Sequence, residues 1–400
     1  MPTTTRDESV GPVMSHEDIA QELRRRILTV QYGPGQRIPP ERELIEEFGC
    51  SRMTVAKAMA PLVADGLIER HPGRGTFVTK GQHKPGPAGP AGRSNGRAAT
   101  RGNVIKYISP GQEESVRDSR NDVLSALHGV LDEAGYHVSI DLYGDLDEHL
   151  RCLAKVHDRQ IAGVVLWPAP HARTRKAISE LVRAAIPLVL VDTYLPDLDC
   201  DYVVTDNIEG AALMVRHLAQ LGHRRICYLT PLPDRTSLRD RLTGFLRGLV
   251  EAELPVDDGS VARLPMLAPL GAVPPDSEAL AGLLDRVMGA AVPPTALFTS
   301  NDTLALAILP LLHARGLSVP EDVTLVGYDG IEAGEFGAVP LTTIKQDFGD
   351  MATVAARILL ERFDGRPAPL RYHRLIEPQL VVRASCAPPG ARCAAAVAAV

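Results

Sequence analysis

The chain has 400 residues, 45% hydrophobic and 23% charged, enough for two or three ordinary globular domains and unlike a disordered polymer. Its six cysteines are scattered without a C-x-x-C pair, which speaks against a metal cluster or a disulfide framework and for reduced thiols in a cytoplasmic setting. The net charge of −6 argues against nucleic-acid binding only until its distribution is read. Residues 14–80 carry ten Lys/Arg against nine Asp/Glu, residues 81–102 carry four basic residues and no acid, and residues 103–400 carry 28 against 38. A small module needs local positive charge, not a basic whole.

Residues 1–13 read as a loose tail, with no basic-then-apolar export pattern, and no apolar run is long enough for a membrane span. From Ser15, a potential N-cap, Ile19, Leu23, Ile27 and Val30 fall on one helical stripe, ended by Gly33-Pro34-Gly35. Pro40 opens a second helix with Leu44, Ile45 and Phe48 inward and Gly49 as its stop. Ser51 caps a third, whose buried stripe is Val55, Ala58, Met59 and Leu62; Pro61 predicts a kink or a last turn held by packing. Leu67–Glu69 and Thr76–Thr79 alternate as strands around a turn at His71–Gly75.

Residues 81–102, with six Gly and three Pro among small and basic residues, read as a flexible linker. From Asn103 the pattern becomes alternating strands and amphipathic helices: NVIKYIS, YHVSIDLYG, GVVLWP and IPLVLVD, then a second series from Arg224 with RRICYLT, TALFTS and VTLVGYDG. Buried runs of Val, Ile and Leu between helices predict parallel sheets covered on both faces, and the restart predicts two lobes. TTIKQDF, a helix over 349–363 and LIEPQLVVR would cross back to complete them, with a tail over 389–400.

The set PGQRIPPERELIEEFGCSRMTVAKAM, GLIER and GRGTFV, spanning residues 15–79, resembles the winged helix-turn-helix of GntR-family transcription regulators. The resemblance implies DNA-binding roles for Arg42, Ser51, Arg52, Met53, Thr54, Lys57, Arg74 and Gly75. Physical logic supports them. Ser51 and Thr54 at a helix N-terminus offer hydroxyls and N–H groups to phosphate, and an arginine such as Arg52 can pair bidentately with guanine. Where the family usually has arginine this chain has Ala56, with Lys57 next, a displacement of ~100° around the helix that alters base preference. A winged helix used only for protein contact is the alternative.

Residues 103–385 resemble the effector domain of LacI/GalR-type repressors, itself similar to periplasmic sugar-binding proteins, through LGHRRICYL, RLTGF, TSNDTLALAIL, GLSVPEDVTLVGYDG, VPLTTIKQDF and EPQLVVRAS. The fold class expected is therefore an α+β winged helix-turn-helix at 14–80 followed by a two-lobed α/β domain at 103–388. Ligands of open α/β sheets bind beyond the strands' carboxyl ends. The positions there that match effector contacts of the family are Trp167, Asp192, Ser237, Arg241, Asn301, Asp302, Asp329 and Phe348, with Arg235 a further candidate in the same loop as Ser237. Arg and Asp suit vicinal hydroxyls and an aromatic face suits a sugar ring, while Arg241 leaves room for a carboxylated or phosphorylated effector. Trp167 as a core aromatic and Asp302 as the cap of the next helix are the structural alternatives.

No cofactor, metal site or catalytic constellation is visible: G-x-S-x-G, Walker and H-E-x-x-H patterns are absent, and His71, His171 and His223 stand alone as surface or capping residues. The expected partners are double-stranded operator DNA, a small carbohydrate effector and a second copy of the chain, since a pseudo-palindromic operator needs two readers. The rival readings are a solute-binding protein, an enzyme on the same scaffold, and an activator with a non-sugar effector.

Overall fold

A computed structural model describes residues 19–20, 23, 36–64, 68–71, 75–78, 102–111, 114–231, 235–264, 277–363 and 371–390. The expected tails at 1–13 and from 391, the Ser15 cap, Ile27 and Val30, the wing tip at 72–74 and the linker over 81–101 lie outside the described residues. The chain divides into two compact units, Met1–Gly96 and Arg97–Val400.

In the first unit, helix α1 (Glu41–Phe48) ends at Gly49, whose left-handed φ of 59° lets its N–H reach the carbonyl of Ile45. Helix α2 (Arg52–Ala64) follows, then an antiparallel pair, β1 (Ile68–His71) and β2 (Gly75–Val78). Gln36–Ile38 lies along β2 as well, with Ile38 N–H bonded to Thr76 O and Val78 N–H to Gln36 O. One apolar cluster holds these pieces together: Ile19, Leu23, Ile38, Leu44, Val55, Ala58, Met59, Leu62, Ile68 and Val78 are all buried. The predicted stripes of the second and third helices are thus observed, with Ile19 and Leu23 of the first. Pro61 does not end the helix, which runs on to Ala64 with Leu62 anchored in that cluster.

The second unit has two sheets. The first, all parallel, is built from β3 (Val104–Pro110), β4 (His137–Tyr143), β5 (Ile161–Leu166), β6 (Leu188–Val191), β7 (Asp201–Thr205) and β13 (His373–Ile376), in the order β13-β7-β6-β5-β3-β4. Helices α3 (Glu114–Leu131) and α11 (Phe348–Phe363) cover one face through Leu127, Leu131, Ala355 and Leu359. Helices α4 (Leu146–Lys155) and α5 (Ala172–Arg183) cover the other through Leu153, Ile178 and Leu181.

The second sheet has the order β14-β12-β11-β10-β8-β9, where β8 is Ile226–Pro231, β9 Val261–Leu264, β10 Ala296–Thr299, β11 Thr324–Asp329, β12 Thr342–Lys345 and β14 Gln379–Val381. Its strands are parallel except β14, which pairs antiparallel with β12. Helices α6 (Asn207–Gln220) and α7 (Thr236–Glu251) lie on one face; α8 (Ser277–Met288) and α9 (Asp302–His313) lie on the other. A short α10 (Glu332–Glu335) follows β11.

Two strands depart from the sequence reading. DYVVT at 201–205 and VARL at 261–264 are strands, too short and too polar at their flanks to stand out as apolar runs. LIEPQLVVR crosses back between the lobes as expected, with Pro378 between β13, which joins the first sheet, and β14, which joins the second. The chain consequently passes between lobes three times, at Thr205–Asn207, Gln346–Phe348 and Ile376–Gln379.

Helices α6 and α7 approach closely because α7 carries glycines four residues apart. A methyl at Gly244 would press on the Ile208 backbone, and one at Gly248 would come 2.7 Å from Val215 Cβ. Gly244→Ala is therefore expected to lower the unfolding free energy by ~1–3 kcal/mol through overpacking, read as a lowered urea midpoint with unchanged slope. An unchanged midpoint would show that the helices have room to part.

Candidate functional site: a reading helix and an interlobe seam

In α2 the side chains of Val55, Ala58, Met59 and Leu62 face the core, so Met53 and Lys57, four residues apart, share the opposite, exposed face. Ser51 caps the helix: its Oγ accepts from Thr54 N–H at 3.2 Å and lies 2.8 Å from Thr54 Oγ1. Arg52 is the first residue of the helix, Arg42 is exposed on α1, and Gly75 opens β2. Arg74 lies outside the described residues. The geometry is that of a short capped helix, with Met53 and Lys57 on its exposed face, beside a two-stranded hairpin.

In the second unit the sheets meet along the carboxyl ends of their strands. Trp167 follows β5; its N–H bonds to Ile108 O at 2.9 Å and its ring stacks on Phe348, centroids 5.6 Å apart, so both belong to the core of the first lobe as well as to its upper edge. Asp192 follows β6 with φ of 64°, a left-handed conformation costly for a non-glycine residue. It accepts from Thr193 Oγ1 at 3.1 Å, and Thr193 Oγ1 lies 3.2 Å from Ser237 Oγ of the other lobe. Next to it Tyr194 N–H donates to Thr236 Oγ1 at 2.9 Å, and Thr236 Oγ1 donates to Tyr194 O at 3.0 Å. Farther along, Glu332 N–H donates to Asp118 Oδ2 at 3.1 Å. The two lobes are thereby stitched together at both sides.

Arg241 is the centre of the second lobe's contribution. Only 4% exposed, it donates from Nε to Asn207 Oδ1 at 2.8 Å and from Nη1 to Ser300 O at 2.6 Å; Nη2 lies 3.0 Å from Asp329 Oδ1. Its guanidinium lies 3.8 Å above the Tyr328 ring. Asp329, itself at φ of 111°, also accepts from Gln346 Nε2 at 2.9 Å, and Gln346 Oε1 accepts from Thr205 Oγ1 at 2.6 Å. One chain of bonds therefore runs from Arg241 through Asp329 and Gln346 to the hinge at Thr205. Three of the five N–H donors of Arg241 are thus engaged within the protein, one on each nitrogen.

Asn301 and Asp302 do different work. Asn301 caps α9, its Oδ1 accepting from Leu304 N–H at 2.9 Å. Asp302 is fully buried; Oδ2 accepts from Gly330 N–H at 2.7 Å and Ile331 N–H at 3.0 Å, and Oδ1 from Thr343 Oγ1 at 2.7 Å, tying the loop after β11 to β12. Burial and then the charge of Asp329 push its pKa up to about 8, against the pull of those three donors. The sign follows. The folded state holds a proton that the unfolded chain releases near pH 4, so this stabilising contribution is complete below that pH and is lost as pH rises through about 8. Measured as the difference in unfolding free energy between the native chain and Asp302→Asn, it is expected to fall by ~1.4 kcal/mol per pH unit between about pH 5 and 7. A pH-independent difference would show a carboxylate ionised throughout.

Arg235 precedes α7 and is half-buried. Several residues that sequence reasoning passed over stand at the same seam: Thr193, Asn207, Ser300, Gln346, and on the first lobe Tyr107 and Arg120. Tyr107 is pushed up to about 12 by burial, with Ser109, Arg120 and Asp192 as its polar neighbours. Arg120 Nε and Nη2, Trp167 Nε1 and Ser300 Oγ are buried with no hydrogen-bond partner among the described residues. These are donors from both lobes awaiting acceptors. His171 and His223 serve the structure, His171 Nδ1 capping α5 and His223 bonding Thr295 Oγ1 at 2.8 Å and Ala387 O at 2.9 Å.

Residues 15–78 match the model of the gntR family of bacterial regulatory proteins, and residues 215–386 match that of the periplasmic binding protein-like domain. The chain is 28% identical over 92% of its length, and 96% of the relative's, to an arabinose metabolism transcriptional repressor of Geobacillus stearothermophilus. It is 32% identical, over 59% of its own length and 67% of the relative's, to the HTH-type transcriptional repressor PurR of Haemophilus influenzae. Among solved structures, a transcriptional regulator CelR–cellobiose complex superposes with a TM-score of 0.62 at 22% identity, covering 87% of this chain and all of that one. The chain belongs to the bacterial transcription regulators, joining a GntR-family winged helix-turn-helix to a LacI-type, periplasmic-binding-protein-like effector domain.

Proposed function

We propose that this chain is a transcriptional repressor whose hold on operator DNA is set by a small sugar or sugar derivative bound between the two lobes. The observation that carries this reading is the set of buried donors on Arg120, Trp167 and Ser300, at the seam between the lobes, that have no hydrogen-bond partner among the described residues. Buried donors without acceptors cost free energy that the hydroxyl and ring oxygens of a sugar would recover. The names of the relatives agree, one a repressor of arabinose metabolism and one a regulator with cellobiose. Asp192, Arg235, Ser237, Arg241, Asn301, Asp302, Asp329 and Phe348 complete the proposed effector site, with Arg241, Asn301 and Asp302 acting by positioning their neighbours.

On the DNA side Met53 and Lys57 face the major groove, Arg52 reads a base edge, Ser51 and Thr54 meet phosphate, Arg42 supports the backbone contact, and Arg74 and Gly75 add contacts from the hairpin. The chain works as a cytoplasmic homodimer that binds rather than catalyses, two readers meeting two half-sites. Effector binding shifts operator affinity only by the difference in its affinity for the two lobe arrangements.

A gel shift on promoter DNA, with and without a panel of pentoses, hexoses and disaccharides, tests the proposal. Retention of DNA at low salt and its release by one sugar are expected; DNA that is never retained defeats the reading. Arg52→Ala should cost ~1–3 kcal/mol of sequence-specific affinity while sugar binding persists. Loss of both would mean a misfolded protein and an assignment without support.

A further inference from the structure

We propose that the second lobe carries another binding site, for a small organic dianion, at the amino-terminal ends of its strands. A cavity of about 310 Å3 opens beside Ile226 and Val261, the first residues of β8 and β9. The effector seam lies at the opposite ends of the same strands, so the two sites are separate and this inference does not rest on the one above. The volume is that of a small-molecule site.

The lining is unusual for a surface depression. Arg224, Arg225, Arg263 and Arg286 face Asp257 and Asp258, an excess of two positive charges, over walls that include Leu283, Val287 and Val292. Arg224, Arg263 and Arg286 have no carboxylate partner among the described residues. Arg225 is set from below, its carbonyl accepting from Thr295 N–H at 3.0 Å. Its Nη1 lies 3.7 Å from Asp257 Oδ2, too far for a hydrogen bond, and Asp257 is occupied in its own turn, Oδ1 accepting from Gly259 N–H at 2.9 Å and Ser260 Oγ at 3.2 Å. Arg225 Nε is buried and has no acceptor among the described residues. Four guanidiniums around one concavity repel one another, and a buried N–H without an acceptor adds to the cost; a dianion relieves both. Guanidinium forks match the paired oxygens of phosphate and carboxylate, and the apolar wall suits a short carbon body. The ligand class is thus a phosphate monoester or a dicarboxylate.

The test is calorimetric titration of the full chain at low ionic strength with glycerol 3-phosphate, succinate and uncharged glycerol. It compares the native protein with Arg225→Gln, the double variant Arg263→Ala/Arg286→Ala, and Arg120→Ala at the seam. The two arginines of the double variant are exposed and bond to nothing described, so their loss leaves the fold in place. Saturable binding of at least one dianion and not of glycerol is expected, weakened about tenfold or more by both cavity variants and unchanged by Arg120→Ala. Whichever dianion binds names the class. No saturation by about 10 mM, binding indifferent to the cavity variants, or binding lost in Arg120→Ala alone would each overturn the proposal.

Discussion

Arg241→Ala is expected to lower the unfolding free energy by ~3–5 kcal/mol, the cost of breaking a buried ion pair from one side. The loss is not that of one contact. Removing the guanidinium takes one partner from each of the Asp329 carboxylate, the Asn207 amide oxygen and the Ser300 carbonyl in a nearly dry site, while Gln346 Nε2 still donates to Asp329. Urea unfolding read by circular dichroism and by Trp167, the only tryptophan, would report it. Replacing both partners, as Arg241→Met with Asp329→Leu, should recover most of the loss because no uncompensated charge then remains. A single variant as stable as the native protein to within about 1 kcal/mol would show that water reaches the pair and screens it.

Arg120→Ala is expected to do the reverse, leaving stability within about 0.5 kcal/mol while weakening the effector ~10–150-fold, the ~1.5–3 kcal/mol of a charge-assisted hydrogen bond. Arg120 makes no bond among the described residues, so the folded state loses little without it, and its buried Nε and Nη2 are the strongest donors waiting at the seam. The measurement is the concentration of the active sugar that half-releases operator DNA. An unchanged value would remove Arg120 from the site. Together the two variants separate an arginine that holds the lobe together from one that waits for a ligand, a distinction that residue type cannot make.

The reading module was legible because everything it needs is local. Caps at Ser51 and Gly49, stripes at helical spacing and a short alternating hairpin are all carried within a few residues of one another. Repeated strand–helix units likewise announced two parallel sheets. What the pattern missed was non-local. Thr205 bonds Gln346 across 141 residues and Asp302 reaches Thr343 across 41, and neither pairing leaves a mark on the intervening sequence. The strands at 201–205 and 261–264 are short, and their identity comes from the neighbours they pair with rather than from their own composition. Arg120 lies in the middle of an amphipathic helix, where an arginine ordinarily means a solvated face; only its burial beside Tyr107 singles it out.

The triple passage of the chain between lobes has a consequence for how the protein is made. When the ribosome has finished Thr205, the first sheet still lacks helix α11, which covers one of its faces, and β13, its outermost strand. Both arrive only after five of the second sheet's six strands have been synthesised, and at ~5–20 residues per second the interval from Thr205 to Ile376 lasts roughly 9–34 s. For that time Val123, Leu127 and Leu131 on α3 have no opposing helix to pack against. The nascent chain therefore presents a broad apolar face to chaperones before it can respond to any effector, and the lobe translated first waits for nearly all of the second before it is complete.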